Sequence, residues 1–169
     1  MTMVSTLEDL YVEELRDLYD AEQQILEALP RMMTAATNLE LKEGFRDHIR
    51  ETQDQVRRLE EIFEDLGESP SGAHCKGMEG LIQEGEEVIG MATNPEVRDA
   101  ALISAAQRVE HYEIAGYGTV RAYAKQLGHD FAASRLKENL DQEAKTDKDL
   151  TKIAEGTIFT GGVNEEAVS

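Results

Sequence analysis

The chain has 169 residues and a mass of 18.8 kDa, which suits one well-buried domain and falls short of the length that usually divides into two. Its 35 acidic and 17 basic side chains give a formal net charge of -18. Because this charge repels phosphate backbones and anionic lipid headgroups, we expect neither nucleic acid nor a membrane surface as a partner. Abundant Glu, Ala, Leu and Gln with only three Pro favour helix over sheet.

Cys75 is the only cysteine, so the chain has no internal disulfide framework and suits a reducing compartment. Its neighbour His74 does not complete a zinc motif, because no second Cys or suitably spaced His follows. The chain does not open with a basic segment and an apolar run, and no apolar stretch approaches the ~18 residues of a membrane span. We therefore expect a cytoplasmic protein.

The first predicted helix covers about 4–37, where apolar residues recur at helical spacing from Leu7 onwards. Ser5, followed three residues later by Glu8, predicts a capping box at its start. Pro30 predicts a kink or an early end, because proline cannot donate a backbone hydrogen bond inside a helix.

Four more apolar stripes, one of them short, follow along the chain. A stripe that ends at Gly67 predicts a second helix, and the short connection makes it antiparallel to the first. After the Gly- and Pro-rich break "GESPSGAHCKG", the stripes predict a short crossover helix and two further long helices. The predicted helices after the first span about 40–67, 76–91, 95–128 and 129–155. They form, over 1–155, one all-α antiparallel four-helix bundle, and 156–169 is predicted to be a tail.

Each predicted long helix carries an acid on or beside its apolar stripe, near the middle of the helix. Glu22, for example, lies three or four residues from Leu18 and Ile25 and so shares their face. Antiparallel packing would bring the acids to similar heights in the bundle. The candidate metal ligands are Glu22 on the first helix, Glu51 on the second, Glu110 and Glu113 on the third and Glu143 on the fourth, with His48, Gln55 and Asp147 as secondary candidates.

Clustered buried carboxylates must be neutralised, because burying one ionised carboxylate without a partner costs several kcal/mol and like charges raise each other's pKa. Protons, basic side chains and metal ions are the three alternatives. Arg50 and Arg108 lie about a third of a turn from the acids. Metal ions fit best, since Fe, Mn and Zn accept oxygen and nitrogen ligands. Taken singly, an acid such as Glu110 or Asp147 could instead lie at the edge of the face and reach solvent.

Two further features of the third long helix lie outside this constellation. His111 is on a different face from Glu113, and we leave it outside the predicted site. Gly116 and Gly118 follow no predicted strand, so they do not form a phosphate loop. They predict the close approach of a neighbouring helix, or a bend beside the site.

Four segments together resemble the YciE/YciF-type proteins of the rubrerythrin and ferritin-like superfamily. They are "DLYDAEQQILEALPRM", "EGFRDHIRETQDQVRRLEEIF", "AAQRVEHYEIAGYGTVRAYA" and "LDQEAKTDKDL", in an order that covers about 7–155. "EHYEIAGY" is also similar to the third-helix segment of rubrerythrins, where two Glu three residues apart bind the metal pair. The resemblance implies a ferritin-like bundle, a bacterial stress-associated role and a homodimer. It also implies two metal ions per chain, with iron as first choice and manganese or zinc as alternatives, held by Glu22, Glu51, Glu110, Glu113 and Glu143.

The sequence departs from the ligand pattern of that superfamily. Ferritin-like di-iron proteins usually pair a Glu with a His three residues later on two helices, whereas Glu51 is followed at that distance by Asp54 and Glu143 by Thr146. This leaves room for a harder, oxygen-ligated ion. Three tyrosines are predicted to hydrogen-bond the ligands: Tyr19, Tyr112 and Tyr117.

Two functions follow from these features. The first is a metal centre that oxidises Fe(II) or removes peroxide, with carboxylates bridging two metal ions. The alternative is a non-catalytic structural or interaction bundle whose site is vacant or holds adventitious cations. Iron storage would need a cage, which nothing in the sequence specifies.

Overall fold

The computed structural model of the protein describes residues 4–72, 74–157 and 160–168, which are mainly helical. The predicted bundle and tail also include residues 1–3, 73, 158, 159 and 169, which lie outside the described part. The elements in chain order are α1 Leu7–Ala35, α2 Leu39–Leu66, α3 Lys76–Met91, α4 Pro95–Leu127, α5 Asp130–Glu155, β1 Gly156–Thr157, β2 Thr160–Gly161 and α6 Val163–Glu166.

The start of α1 is capped by a reciprocal pair of hydrogen bonds. The Thr6 side chain accepts from the backbone N–H of Asp9 at 3.0 Å, and the Asp9 carboxylate accepts from the Thr6 N–H at 2.9 Å. The predicted pair of Ser5 with Glu8 is therefore wrong by one residue. The physical reason is that the Asp9 carboxylate reaches the backbone N–H groups of both Ser5 and Thr6.

Pro30 does not end α1, which continues to Ala35. Pro30 lies at an exposed position, so its ring stays away from the packed face of the helix. The Thr34 hydroxyl donates to the Pro30 carbonyl at 2.8 Å one turn later. The early end predicted from this proline is therefore wrong.

The long helices form two hairpins that pack side by side. α1 pairs with α2 and α4 pairs with α5, while α1 also packs on α4 and α2 on α5. The crossover helix α3 lies on α4 and α1. Gly67 and Gly128 end α2 and α4 with positive φ angles of 69° and 81°, a conformation that favours glycine. Among the described residues, no helix is long and apolar enough to cross a lipid bilayer.

The C-terminal residues fold back onto the bundle instead of forming the predicted tail. β1 and β2 pair antiparallel, and α6 packs on α4 and α5. The Val163 side chain is 2% exposed and joins the same apolar cluster as Leu150 and Ile153. Burial of this side chain gives the segment a defined position.

The connection between α1 and α2 is fixed to α4 by a buried carboxylate. Asp99 on α4 accepts from the Thr37 backbone N–H at 2.8 Å, from the Thr37 hydroxyl at 2.6 Å and from the Asn38 N–H at 2.7 Å. Because hydrogen bonds to a charged acceptor are strong, Asp99 holds the first hairpin against α4.

Two apolar clusters fill the bundle, and a polar layer separates them along every long helix. One cluster contains Ile25, Leu29, Phe45, Leu102 and Leu150. The other contains Leu15, Leu59, Tyr117, Val120 and Leu136. Between them, near the middle of each helix, lie Glu22 on α1, His48, Thr52 and Gln55 on α2, Glu110 and Glu113 on α4, and Asn139 and Glu143 on α5.

Two glycines on α4 provide a test of how closely α1 and α4 pack. A Cβ at Gly116 would lie 2.6 Å from Leu18 Cδ2, whereas a Cβ at Gly118 would meet nothing within 4 Å. We expect Gly118→Ala to stabilise the protein by about 1 kcal/mol through helix propensity. In Gly116→Ala the buried Leu18 must shift, so this variant should be less stable than Gly118→Ala by about 1–3 kcal/mol in urea unfolding. Equal stability of the two variants would contradict the close helix approach.

Candidate metal centre

The polar layer between the two apolar clusters consists of buried side chains from all four long helices. On α2, His48, Thr52 and Gln55 recur at helical spacing between the buried apolar residues Phe45 and Leu59, so the same face continues through the layer. The four carboxylic acids of the layer are all 0% exposed, and they are Glu22, Glu110, Glu113 and Glu143. Ionisable groups buried to this extent are rare unless they are paired.

Four of these side chains converge on one point. His48, Glu110, Glu113 and Glu143 each offer a ligand atom, and these atoms all lie within 4.8 Å of one another. The His48 Nδ1 atom is 3.2 Å from Glu110 Oε1, and its Nε2 atom is 3.9 Å from Glu143 Oε2. Ligands of a single metal ion, bound at about 2.0–2.2 Å, lie up to about 4 Å apart. The arrangement therefore approaches that of a metal site supplied by α2, α4 and α5.

Two neighbouring side chains hold the carboxylates in place. The Tyr117 hydroxyl donates a hydrogen bond to Glu22 Oε1, and the Gln55 side-chain amide donates to Glu143 Oε1. Each of these bonds uses one carboxylate oxygen, and the second oxygen of each acid has no hydrogen-bond partner. Hydrogen bonds of this kind orient the ligands of metal sites.

Many of the buried polar atoms that lack a hydrogen-bond partner lie in this layer. With the acids ionised, both oxygens of Glu110 and of Glu113 lack one, as do Glu22 Oε2, Glu143 Oε2 and His48 Nε2. Within residues 4–72, 74–157 and 160–168, none of these four acids forms an ion pair with Lys or Arg. An unsatisfied buried group costs about 1–3 kcal/mol, and more when it is charged. The donor atoms therefore fit a bound cation, which would satisfy them.

Burial changes the proton affinity of every ionisable group in the site. It raises the pKa of Glu22, Glu110 and Glu113 well above the usual range, and neighbouring carboxylates, above all Glu143, raise these pKa values further. Burial also raises the pKa of Glu143 to about 7. It lowers the pKa of His48 to about 4, so the imidazole is neutral at pH 7. A metal ion would therefore displace protons from carboxyl groups and meet a neutral imidazole.

Glu51, predicted as the ligand from the second long helix, lies outside this cluster. Its side chain is 24% exposed, Oε2 accepts from the Thr146 hydroxyl at 3.1 Å, and Oε1 is 3.9 Å from Lys145 Nζ. The reason is the helical rotation of about 100° per residue, which turns Glu51 away when Thr52 faces the core. His48, only a secondary candidate in the sequence, occupies the central position instead.

Asp147, another secondary candidate, lies at the rim of the layer. Its Oδ1 atom accepts from the Gln107 side chain at 3.1 Å and is 3.2 Å from Nε2 of the exposed His111. Its carboxylate is thus used by surface neighbours, and the structure does not bring it to the cluster. His111 is not among the four residues of the cluster either.

Only one of the three tyrosines predicted to hydrogen-bond the ligands does so. Tyr117 donates to Glu22, as described above. The Tyr19 hydroxyl donates to Glu60 at 3.1 Å, and the Tyr112 hydroxyl donates to Asp17 at 2.8 Å. The predictions for Tyr19 and Tyr112 are wrong because these side chains leave their helices on faces turned away from the layer.

Two buried polar residues of the layer were missed in the sequence. Thr52 lies on the buried face of α2, and its hydroxyl is buried without a hydrogen-bond partner. Asn139 is 0% exposed, and its Oδ1 atom accepts from Arg58 at 2.8 Å. The available signal was its spacing, four residues before Glu143 and three after Leu136 on the same face of α5.

Four long helices in two hairpins, a crossover helix and carboxylates on facing helices define a ferritin-like protein. Among solved structures, the Escherichia coli stress protein YciF is similar, with a TM-score of 0.85 and 45% identity over 88% of this chain and 94% of that one. The chain belongs to the family described as a domain of unknown function (DUF892), whose model matches residues 6–167. The curated protein YciF from Escherichia coli (strain K12) is 45% identical over 152 residues, which are 89% of this chain and 92% of YciF.

Two other solved structures complete the comparison. A Rhodopseudomonas palustris protein, YcfI, provisionally labelled a structural protein, has a TM-score of 0.87 and 46% identity over 89% of this chain and 96% of that one. A ferritin-like, diiron-carboxylate protein from Bacillus anthracis str. Ames has a TM-score of 0.67 over 88% of this chain and 98% of its own, and its 15% identity supports the fold alone. The predicted ferritin-like fold and membership of the YciE/YciF-type family are confirmed.

Proposed function

We propose that this protein acts in a bacterial stress response by binding a pair of transition metal ions in its polar layer. Iron is the first choice, and manganese and zinc are alternatives that accept the same oxygen and nitrogen ligands. The observation that carries the proposal is the set of buried donor atoms without partners. These donor atoms are more numerous than one four-coordinate ion requires, which favours two ions.

Different residues of the polar layer would bind the two metal ions. His48, Glu110, Glu113 and Glu143 would supply the first ligands, and the free oxygens of Glu22, with those of Glu113, would extend the site to a second ion. Bound iron would supply electron transfer to dioxygen or peroxide, and we propose Fe(II) oxidation or peroxide removal as the reaction.

The surrounding residues would support this chemistry in two ways. The hydrogen bonds from Tyr117 to Glu22 and from Gln55 to Glu143 would orient the carboxylates before metal arrives. The apolar clusters on both sides would limit the access of water.

Metal titration tests the proposal directly. Untagged protein is expected to bind about two equivalents of Fe(II) or Zn(II) in calorimetry. Glu143→Ala should weaken binding by at least about 100-fold, because it removes a ligand rather than a supporting hydrogen bond. Glu51→Ala is the matched control and should bind normally, since Glu51 is partly exposed and outside the cluster. Equal losses in both variants would contradict this ligand set.

A second candidate function is a structural or interaction bundle without turnover. It is favoured by the absence of His three residues after Glu143, where Thr146 stands, and by the label of the Rhodopseudomonas palustris relative. Under this alternative, the purified protein holds less than one equivalent of metal and consumes neither Fe(II) nor peroxide. Metal content and both consumption rates, measured on one preparation, separate the two functions.

We also propose a cytoplasmic homodimer, on the basis of the family resemblance and the lone cysteine. Native mass spectrometry is expected to give the mass of two chains of 18.8 kDa each. A cage of many chains would instead favour iron storage.

A further inference from the structure

Two adjoining apolar cavities lie under the crossover helix and reach the polar layer. The outer cavity has a volume of about 30 Å³ and the inner one about 20 Å³. Four residues line both, which places the cavities in contact: Ala28, Met32, Ile82 and Val109. The inner cavity also contacts His48 and Glu110, two of the four clustered ligands.

Three small residues are among those that line the outer cavity. Ala28 on α1, Gly85 on α3 and Ala105 on α4 form part of the outer wall. A Cβ at Gly85 would lie 3.4 Å from the Ala105 Cβ, so these two helices already approach closely there. The pair of cavities is informative because the inner one contacts two of the candidate ligands.

The walls select an uncharged, apolar occupant. In the outer cavity the charged residues are Arg31 and Glu86, which pair with each other at 2.6 Å at an exposed position. A buried water needs two to four polar partners, and the carbon-lined wall between this pair and His48 does not offer them. By the same measure of volume a water needs about 10–15 Å³, so the cavities have room for a molecule of two heavy atoms.

A separate polar cleft is available to charged ligands. It lies between α2 and α5, has a volume of about 80 Å³ and also reaches His48. Asp47, Glu51, Lys145 and Asp149 line it, so metal cations and peroxide would meet polar groups there. The apolar cavities are thus not needed for the metal itself.

We propose that the apolar cavities between α1, α3 and α4 bind dioxygen and lead it to the polar layer. This deepens the proposed function, on which it rests, by naming the oxidant. Dioxygen is apolar, uncharged and diatomic, which matches the wall chemistry and the size of the space. The pairing of Arg31 with Glu86 covers the outer end of this route.

The experiment uses dioxygen itself as a paramagnetic probe of the full-length protein, with and without Zn(II). Methyl relaxation rates in NMR are measured under nitrogen and under increasing dioxygen pressure. The Ile82 and Val109 methyl groups are expected to relax several-fold faster than those of Leu59, a fully buried residue of the other apolar cluster. Equal enhancement in all three residues would overturn the proposal, and this wild-type measurement decides by itself.

A pair of variants adds specificity to the test. Ile82→Phe fills the space, so the enhancement at Val109 should fall to the level of Leu59. Leu66→Phe adds the same ring at a half-buried position of the other cluster and should leave the enhancement unchanged. An unchanged enhancement in folded Ile82→Phe would overturn the route. The relaxation enhancement at Ile82 and Val109 does not require bound metal. A protein that binds no metal but keeps this enhancement would contradict the proposed function and leave the cavity proposal standing.

Discussion

In the metal-free protein at pH 8, Glu113→Gln is expected to raise the free energy of unfolding by about 1–4 kcal/mol, because buried Glu113 holds a proton that the unfolded chain has released, at about 1.4 kcal/mol per pH unit. Glu113 is 0% exposed, and both of its carboxylate oxygens lack a hydrogen-bond partner. Glutamine keeps the shape and is neutral without taking up a proton, and its amide can donate to a neighbouring carboxylate. The same variant should lose the stabilisation that added Zn(II) gives the native protein, which is about 2.7 kcal/mol at a free concentration of 100 times Kd.

A variant that is more stable than the native protein without metal and less stable with Zn(II) identifies a metal ligand. A substitution at a residue with a purely structural role would lower the free energy of unfolding in both conditions. Urea unfolding with and without Zn(II) measures the two effects. Glu51→Gln is the matched control, and it should change neither value by more than about 0.5 kcal/mol, as is usual for partly exposed positions. A Glu113→Gln variant that is destabilised without metal and still stabilised by Zn(II) would exclude Glu113 as a ligand.

The stability of the metal-free protein is expected to fall as the pH rises from 6.5 to 8. Burial raises the pKa of Glu143 to about 7 and those of Glu22, Glu110 and Glu113 well above the usual value of 4.5. In this window the folded protein holds protons that the unfolded chain has released, so each retained proton lowers stability by about 1.4 kcal/mol per pH unit. The stability that these carboxyl groups contribute is fully present below pH 4.5, and it is lost as the pH rises through their pKa values in the folded protein.

Titration of His48 changes the free energy of unfolding in the opposite direction, but at lower pH. Burial lowers its pKa from 6.5 to about 4, so its contribution is present above pH 6.5 and is lost as the pH falls towards 4. Unfolding curves collected between pH 6.5 and 8 therefore report on the carboxyl groups. With saturating Zn(II) the downward trend should disappear, because metal displaces the protons. A stability that is flat or rises with pH in the metal-free protein would show that the four acids are already ionised in the fold.

Much of the fold follows from periodicity in the sequence. The apolar stripes of the long helices, and the Gly67 and Gly128 ends, predict the bundle and its connections because a helix needs one continuous buried face. The ends and short elements are harder to predict. Which of Ser5 and Thr6 caps α1 depends on one rotation of the backbone, and the packing of α6 depends on contacts between residues far apart in the chain.

Some residues of the site can likewise be predicted from local spacing, whereas others depend on contacts between distant parts of the chain. Glu22, Glu113 and Glu143 interrupt apolar stripes, so their burial could be predicted from spacing alone. The error at Glu51 arose on α2, where polar residues on two adjacent faces compete for the core position. Thr52 takes the core position, and Glu51 contacts Thr146 and Lys145 of α5, which no local pattern contains.

The two apolar clusters and the polar layer between them affect how cooperatively the protein unfolds. Each of α1, α2, α4 and α5 contributes to both clusters, so neither cluster can form from one hairpin alone. Unfolding of one cluster would expose the polar layer to solvent and would remove about half of the apolar contacts of every long helix. We therefore expect the chain to unfold in a single step, and protons or ions taken up at its centre to change the lifetime of the whole folded molecule rather than that of one end.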